Sequence, residues 1–217
     1  MTDRPDGLTA KAIVDLGDLA LRLSRVERIT FHPDGKRPET DSDHTVMLGL
    51  IAPAFAARYL PELDLGLVAQ FALVHDLPEA YAGDTPTLKL NGDDLAQKKE
   101  RELAATERIV KELGQDLPWL VHMLTRYEHQ HEPEARYVRA MDKLLPKVTH
   151  ILNQGRTFTT VQGEMSFGDL VRRYQRQLRE LEEYAADFPP LFDLRAQLLT
   201  LLYPAVFGTL MPKEVGV

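Results

Sequence analysis

The sequence predicts an all-α fold, a single domain of roughly eight helices. Three observations predict it. Apolar residues recur at helical spacing through most of the chain. No run of any length alternates apolar and polar residues, and Asn91-Gly92 precedes a charged segment instead of joining two β-branched runs. The 217 residues, 44% apolar and 27% charged, suit one sizeable core and are a little short for two.

The elements follow in order. Residues 9–29 carry Leu16, Leu19, Leu21, Leu23 and Val26 at near-helical spacing. A polar loop, FHPDGKRPETDSD, comes next, broken by Pro33, Gly35 and Pro38. The run DHTVMLGLIAPAFAARYL reads as a buried helix capped by Ser42 or Asp43 and kinked at Pro53. LDLGLVAQFALVHD is a third, strongly apolar helix. Residues 93–113 form a charged amphipathic helix stopped by Gly114. Two more span 117–128 and 133–153, with Pro118 and Pro133 at the first-turn positions that proline favours. NQGRTFTTVQGEMS reads as a loop, and 166–186 and 190–205 as two closing helices. In the first of these, Leu170, Tyr174, Leu178 and Leu181 make an apolar stripe, which packs on the core or forms a homodimer face.

Composition narrows the function. A net charge of -7 argues against a polymeric nucleic-acid partner, which needs a basic footprint, yet leaves room for a small phosphorylated ligand in a local positive pocket. The absence of cysteine removes disulfides, thiolate ligands and a thiol nucleophile, so a bound metal must use His, Asp or Glu. The N-terminus has no apolar leader segment and no run is long enough to span a membrane, so the expectation is a cytoplasmic protein.

The chemistry gathers in ALVHDLPEAYAGDTPT, residues 72–87. His44 has Met47, Leu48 and Ile51 on its own helix face, so it points inward. His75 has Phe71 and Ala72 behind it, Asp76 has Ala72 and Leu73, and Asp142 has Val138 and Leu145. These polar groups thus lie on inward faces of separate helices. A buried carboxylate without a partner is costly. Two imidazoles and two carboxylates that converge are most simply satisfied by a divalent metal. Plainer readings exist for each alone: His44 as a satisfied core histidine, Asp142 paired with Arg139 or Arg28. His75 and Asp76 are adjacent and point about 100° apart on a helix. Pro78 ends the helix there, which lets the pair and then Glu79 face a common cavity.

The order His44, His75-Asp76, Asp142 resembles the HD superfamily of metal-dependent phosphohydrolases. RPETDSDHT, VHDLPEAYAGDTPT and PEARYVRAMDKL are similar to the corresponding blocks of its 5'-deoxynucleotidase-like branch. The resemblance implies an HD-domain core over 1–155, with 156–217 as helices packed on the same domain. It implies one divalent metal (Mn, Co, Zn, Fe or Mg) on His44, His75, Asp76 and Asp142, which polarises phosphate and lowers the pKa of a water. It matches Glu79 to the catalytic glutamate that acts on the attacking water, and Asp84 to a second carboxylate that serves the leaving oxygen or orients the substrate. Arg28, sixteen residues before His44, matches the phosphate-binding arginine, and Lys143 is placed at the substrate. The loops around 31–41 and after Asp84 are expected to close the cleft.

The implied activity is release of phosphate from (deoxy)nucleoside 5'-monophosphates. Alternatives remain residue by residue: Glu79 as a first-turn acid, Asp84 as a turn-former before Thr85-Pro86, Arg25 or Arg37 in place of Arg28. Deoxyribonucleotide-selective members carry an aromatic residue directly after the arginine; here that place holds Ile29, with Phe31 two further on. Rival functions keep the fold: a triphosphate or phosphodiester hydrolase drawing on Lys36, Arg37 and Lys89, or a di-iron oxygenase with Glu79 or Asp84 as extra ligands. A non-catalytic helical module gives no physical reason for keeping buried charges.

Overall fold

The computed structural model describes residues 8–84, 92–160 and 167–207. Its helices are α1 (Ala10–Leu23), α2 (Asp41–Tyr59), α3 (Leu65–Val74), α4 (Glu79–Ala82), α5 (Gly92–Leu113), α6 (Pro118–His129), α7 (Pro133–Leu152), α8 (Arg156–Thr160), α9 (Phe167–Tyr184) and α10 (Pro189–Phe207). A two-stranded antiparallel ribbon, β1 (Glu27–Phe31) and β2 (Pro38–Thr40), sits between α1 and α2.

The all-α expectation holds, with corrections at the ends of elements. The first helix stops at Leu23, not near residue 29. Beyond it Val26, Ile29, Thr30 and Phe31 favour extended chain, and the ribbon closes through His32 N to Arg37 O at 2.9 Å and Asp41 N to Val26 O at 3.0 Å. Alternation was unreadable because β2 has only three residues. The cap of α2 is Thr40, not Ser42 or Asp43. Its hydroxyl accepts from Asp43 N while the Asp43 carboxylate accepts from Thr40 N, a capping box. The loop expected after residue 152 contains α8.

α3 lies at the centre, between α2, α6 and α7. Its Val68, Phe71, Ala72 and Val74 are buried, while Leu65 and Leu73 of the same apolar segment are exposed. α7 is the second axis: Tyr137, Val138, Met141, Leu144 and Leu145 enter the main core. The stripe on α9 faces inward, with Leu170, Tyr174 and Leu181 buried, Leu181 in the main core and the other two in a second cluster with Leu199, Leu202 and Tyr203 of α10. No helix among the described residues is long and apolar enough to cross a membrane.

Candidate active site

Three backbone features aim the polar groups at one place. The capping box starts α2 early enough to put Asp41 in its first turn, one helical turn before His44. α3 ends at Val74, and the turn closed by Glu79 N to Asp76 O at 2.9 Å carries His75 and Asp76 into α4 and Glu79. α7 brings Asp142 across from a point 98 residues away: His44 Nε2 and Asp142 Oδ1 are 2.9 Å apart.

The imidazoles are held from behind. His75 Nδ1 donates to the Ala72 carbonyl at 2.8 Å, which leaves Nε2 as a bare acceptor. That atom sits 3.0 Å from Asp76 Oδ2 and has no hydrogen-bond partner. His44 Nδ1 lies 3.8 Å from Glu39 Oε1, and the other Glu39 oxygen accepts from the Thr30 hydroxyl. The ribbon therefore fixes the ring of His44. Burial and Arg28 oppose charge on His44, but the bonds to Asp142 and Glu39 outweigh them and hold its pKa up at about 9.

His44, His75 and Asp142 offer donor atoms within 4.8 Å of one another; Asp41, Asp76 and Glu79 form a second trio at the same spacing. Asp76 thus falls in the second trio, while its contact with His75 joins it to the first. Two acceptors facing at 3.0 Å, beside further carboxylates, suit a cation. The donor set, imidazole nitrogen and carboxylate oxygen, suits a borderline divalent metal.

Arg28 Nη1 reaches Asp41 Oδ1 at 2.9 Å and Asp76 Oδ2 at 3.3 Å. Burial works against its charge, yet Asp76, Asp84, Asp142 and Asp41 keep it protonated. Arg25 is exposed, and Arg37 pairs with Asp43 at 3.6 Å on the ribbon turn. Burial, then Asp76 and Asp41, pushes the Glu79 carboxyl well above its usual range in spite of Lys98 at 3.3 Å. Burial likewise raises Asp41, to about 6, against Arg28. Both keep one buried oxygen without a partner, Asp41 Oδ2 and Glu79 Oε2.

Arg28, His75, Asp76, Glu79 and Asp142 open into a cavity of about 420 Å³, within the size range of small-molecule sites. Its walls include Arg28, Ile29, His75, Asp76, Glu79, Asp84, Asp142 and Lys143. Lys143 Nζ is 3.7 Å from Asp142 Oδ2. Asp84 follows Gly83, whose φ of 73° is left-handed backbone; burial raises its pKa. The expectation that the 31–41 loop closes the cleft needs correction: none of those residues lines the cavity, and Arg156 anchors the turn through the Pro33 and Asp34 carbonyls. Lys36 and Arg37 are exposed on that turn. Thr85, Pro86, Lys89 and the rest of the expected second closing loop lie outside the described residues.

Sequence reasoning missed Asp41 and Lys98. The Thr-x-x-Asp capping signal would have placed Asp41 on the His44 face. Lys98 gave no signal, since its meeting with Glu79 depends on how α5 packs against α4.

A 5'-deoxynucleotidase of Erwinia tasmaniensis is 29% identical over 184 residues, 79% of this chain and 90% of that protein. A 5'-deoxynucleotidase of Klebsiella pneumoniae is 26% identical over 183 residues, with the same coverage of 79% and 90%. The crystal structure of a predicted metal-dependent phosphohydrolase from Magnetospirillum magnetotacticum shares the fold, with a TM-score of 0.70 at 24% identity over 93% of this chain and 98% of that one. A Pyrococcus horikoshii protein superposes with a TM-score of 0.57 at 23% identity over 89% of this chain and 99% of its own. The HD domain family profile matches residues 20–185, so the chain belongs to the HD-domain family.

Proposed function

We propose that this chain is a metal-dependent phosphomonoesterase that releases phosphate from nucleoside 5'-monophosphates, deoxynucleotides among them. The observation that carries the reading is the unpaired His75 Nε2 facing Asp76 Oδ2 at 3.0 Å on a cavity wall that also carries Asp142 and Arg28, with His44 bonded to Asp142 behind it. The names of the curated relatives support the substrate class. Helices after residue 155 complete the same domain in this reading, since Leu181, Ala185, Phe188 and Leu191 share the main core.

His44, His75, Asp76 and Asp142 would hold the divalent ion, Mn, Co, Zn, Fe or Mg. When bound it supplies Lewis acidity toward the phosphoryl oxygens and lowers the pKa of water. Arg28, fixed by Asp41 and Asp76, points its remaining donors at the phosphate and neutralises charge that builds on it. Glu79 directs the attacking water, and would take its proton once a cation beside Asp76 and Asp41 offsets the charges that raise its carboxyl. Lys98, at 3.3 Å, keeps that carboxyl oriented. Asp84 serves the leaving 5'-oxygen, and its raised pKa favours the protonated form an acid needs. Lys143 contacts the substrate beside Asp142.

The test is phosphate release from ribo- and deoxyribonucleoside mono- and triphosphates with each metal in turn, with Asp76→Ala and Glu79→Ala as controls. Release from monophosphates, lost in both variants, is expected. Turnover of triphosphates alone would overturn the substrate assignment, and no turnover with any metal would overturn the activity.

A further inference from the structure

The cavity has a different chemistry at its other end. α7 runs along it: Asp142 belongs to the acidic cluster, and Lys143, Pro146 and His150 continue the wall. From Asp142 to His150 the helix advances about 12 Å. His150 therefore lies about two helical turns beyond Asp142 along this wall. Facing this stretch, α9 contributes Arg173 and Gln177, one turn apart. Gln177 ties the helices together: its Nε2 donates to the Lys143 carbonyl at 2.7 Å, and its Oε1 accepts from Lys147.

Among the described residues, no carboxylate of α7 or α9 lines this end beyond Asp142. Glu39 is engaged by Thr30 and His44, and Glu180, two turns along α9 from Arg173, is exposed. The groups here are hydrogen-bond donors, with Arg173 and Lys143 as the cations. Arg173 Nη1 is buried with no hydrogen-bond partner, and so is His150 Nδ1. Behind them Lys147 is 1% exposed, its Nζ 4.6 Å from the Tyr174 ring centre. Burial, with Arg195 and Arg173 close by, holds Lys147 well below the usual lysine range. A buried guanidinium beside other unpartnered donors, with no carboxylate facing it among the described residues, is an unfavourable arrangement for the free protein. An anion would satisfy the Arg173 fork and the imidazole together.

We propose that Lys143, His150, Arg173 and Gln177 form a second anion subsite, so that the substrate is a nucleotide carrying another anionic group, phosphate or carboxylate, remote from the scissile phosphate. The inference rests on the phosphomonoesterase reading for the first anion only. It makes α9, which carries no sequence motif, a specificity element.

A matched set tests it: uridine 5'-monophosphate, uridine 3',5'-bisphosphate and orotidine 5'-monophosphate, the last differing from the first by a base carboxylate. Affinity is measured by calorimetry on the Mn-loaded Glu79→Gln chain, and turnover on the Mn-loaded wild type. At least one of the two doubly anionic compounds is expected to bind about tenfold or more tighter than the monophosphate. Which one does so names the anion. Arg173→Met removes that advantage, and Arg173→Lys keeps part of it. Should either Arg173 variant misfold, Lys143→Met, at a half-exposed position, gives the same readout. Equal affinity for all three compounds, or an advantage that survives Arg173→Met, overturns the subsite. Equal turnover of all three leaves the phosphomonoesterase reading standing and the subsite refuted. Tight, Arg173-dependent binding without phosphate release from any compound does the reverse.

Discussion

His75 and Asp76, neighbours in the chain, face each other through two acceptor atoms: Nε2 and Oδ2 stand 3.0 Å apart while Nδ1 is committed to the Ala72 carbonyl. A cation between them removes the repulsion. Saturating Mn or Co should therefore raise the unfolding midpoint of chelator-treated protein. At a hundredfold excess over Kd the gain is about 2.7 kcal/mol, which for a chain of this size is roughly 5–10 °C. Asp76→Asn should leave the metal-free midpoint unchanged or a few degrees higher, and should cancel the response to metal. Differential scanning fluorimetry decides it, and a chelator-insensitive midpoint in the wild type would contradict the metal reading.

Glu79 stands in the trio with Asp41 and Asp76, yet the reading gives it the water and not the ion. Glu79→Gln should lower kcat by about 10²–10³ while bound metal per chain stays at the wild-type level. Elemental analysis alongside kinetics separates the roles, because a loss of metal in the variant would make Glu79 a ligand.

Asp41 anchors Arg28 at 2.9 Å and is itself fully buried. In Asp41→Asn the guanidinium loses a charged partner, so phosphate is held less firmly. We expect kcat/KM to fall by roughly tenfold to a hundredfold, mainly through KM. An unchanged KM would assign Asp41 to packing alone.

His150 carries a pH signature. Burial, then Arg173 and Lys147, pulls its pKa from 6.5 to about 3. The unfolded chain therefore binds a proton at His150 between those values that the folded chain does not, and stability falls as pH drops from 6.5 toward 3. His150→Gln should flatten this acid limb in unfolding midpoints recorded from pH 7 to 4.5. An identical limb in the two proteins would show that other groups set it.

Ile29 lines the cavity beside Arg28, where deoxyribonucleotide-selective members of the family carry an aromatic side chain. Ile29→Trp should shift the ratio of kcat/KM toward deoxynucleotides by about tenfold, from crowding at the 2'-hydroxyl. A ratio that does not move would place the sugar elsewhere.

Periodicity is a local property, so the helical class, the inward faces of His44 and Asp142, and the break at Pro78 were readable residue by residue. The breaker explains how two adjacent side chains come to meet at a site neither could share in mid-helix. The ribbon was not readable: Val26 to Phe31 continues an apolar pattern, and only pairing with Pro38–Thr40 makes it extended. The polar look of RPETDSD hid Asp41 and Glu39, both buried. Charged residues score as loop until a fold supplies partners, here Arg28 for Asp41 and Thr30 with His44 for Glu39.

Ligand-type residues announce themselves by chemistry and spacing, so His44, His75, Asp76 and Asp142 could be named from the chain. Whether they meet, and with what, depends on contacts between distant segments, such as the 2.9 Å approach of His44 to Asp142 across 98 residues. Lys98 beside Glu79, the split of the acids into two trios, and the wall shared by Lys143, His150, Arg173 and Gln177 all arise from helix packing. Packing sets long-range distances and burial, and through them the charge state of every group in the cavity, none of which a one-dimensional pattern encodes.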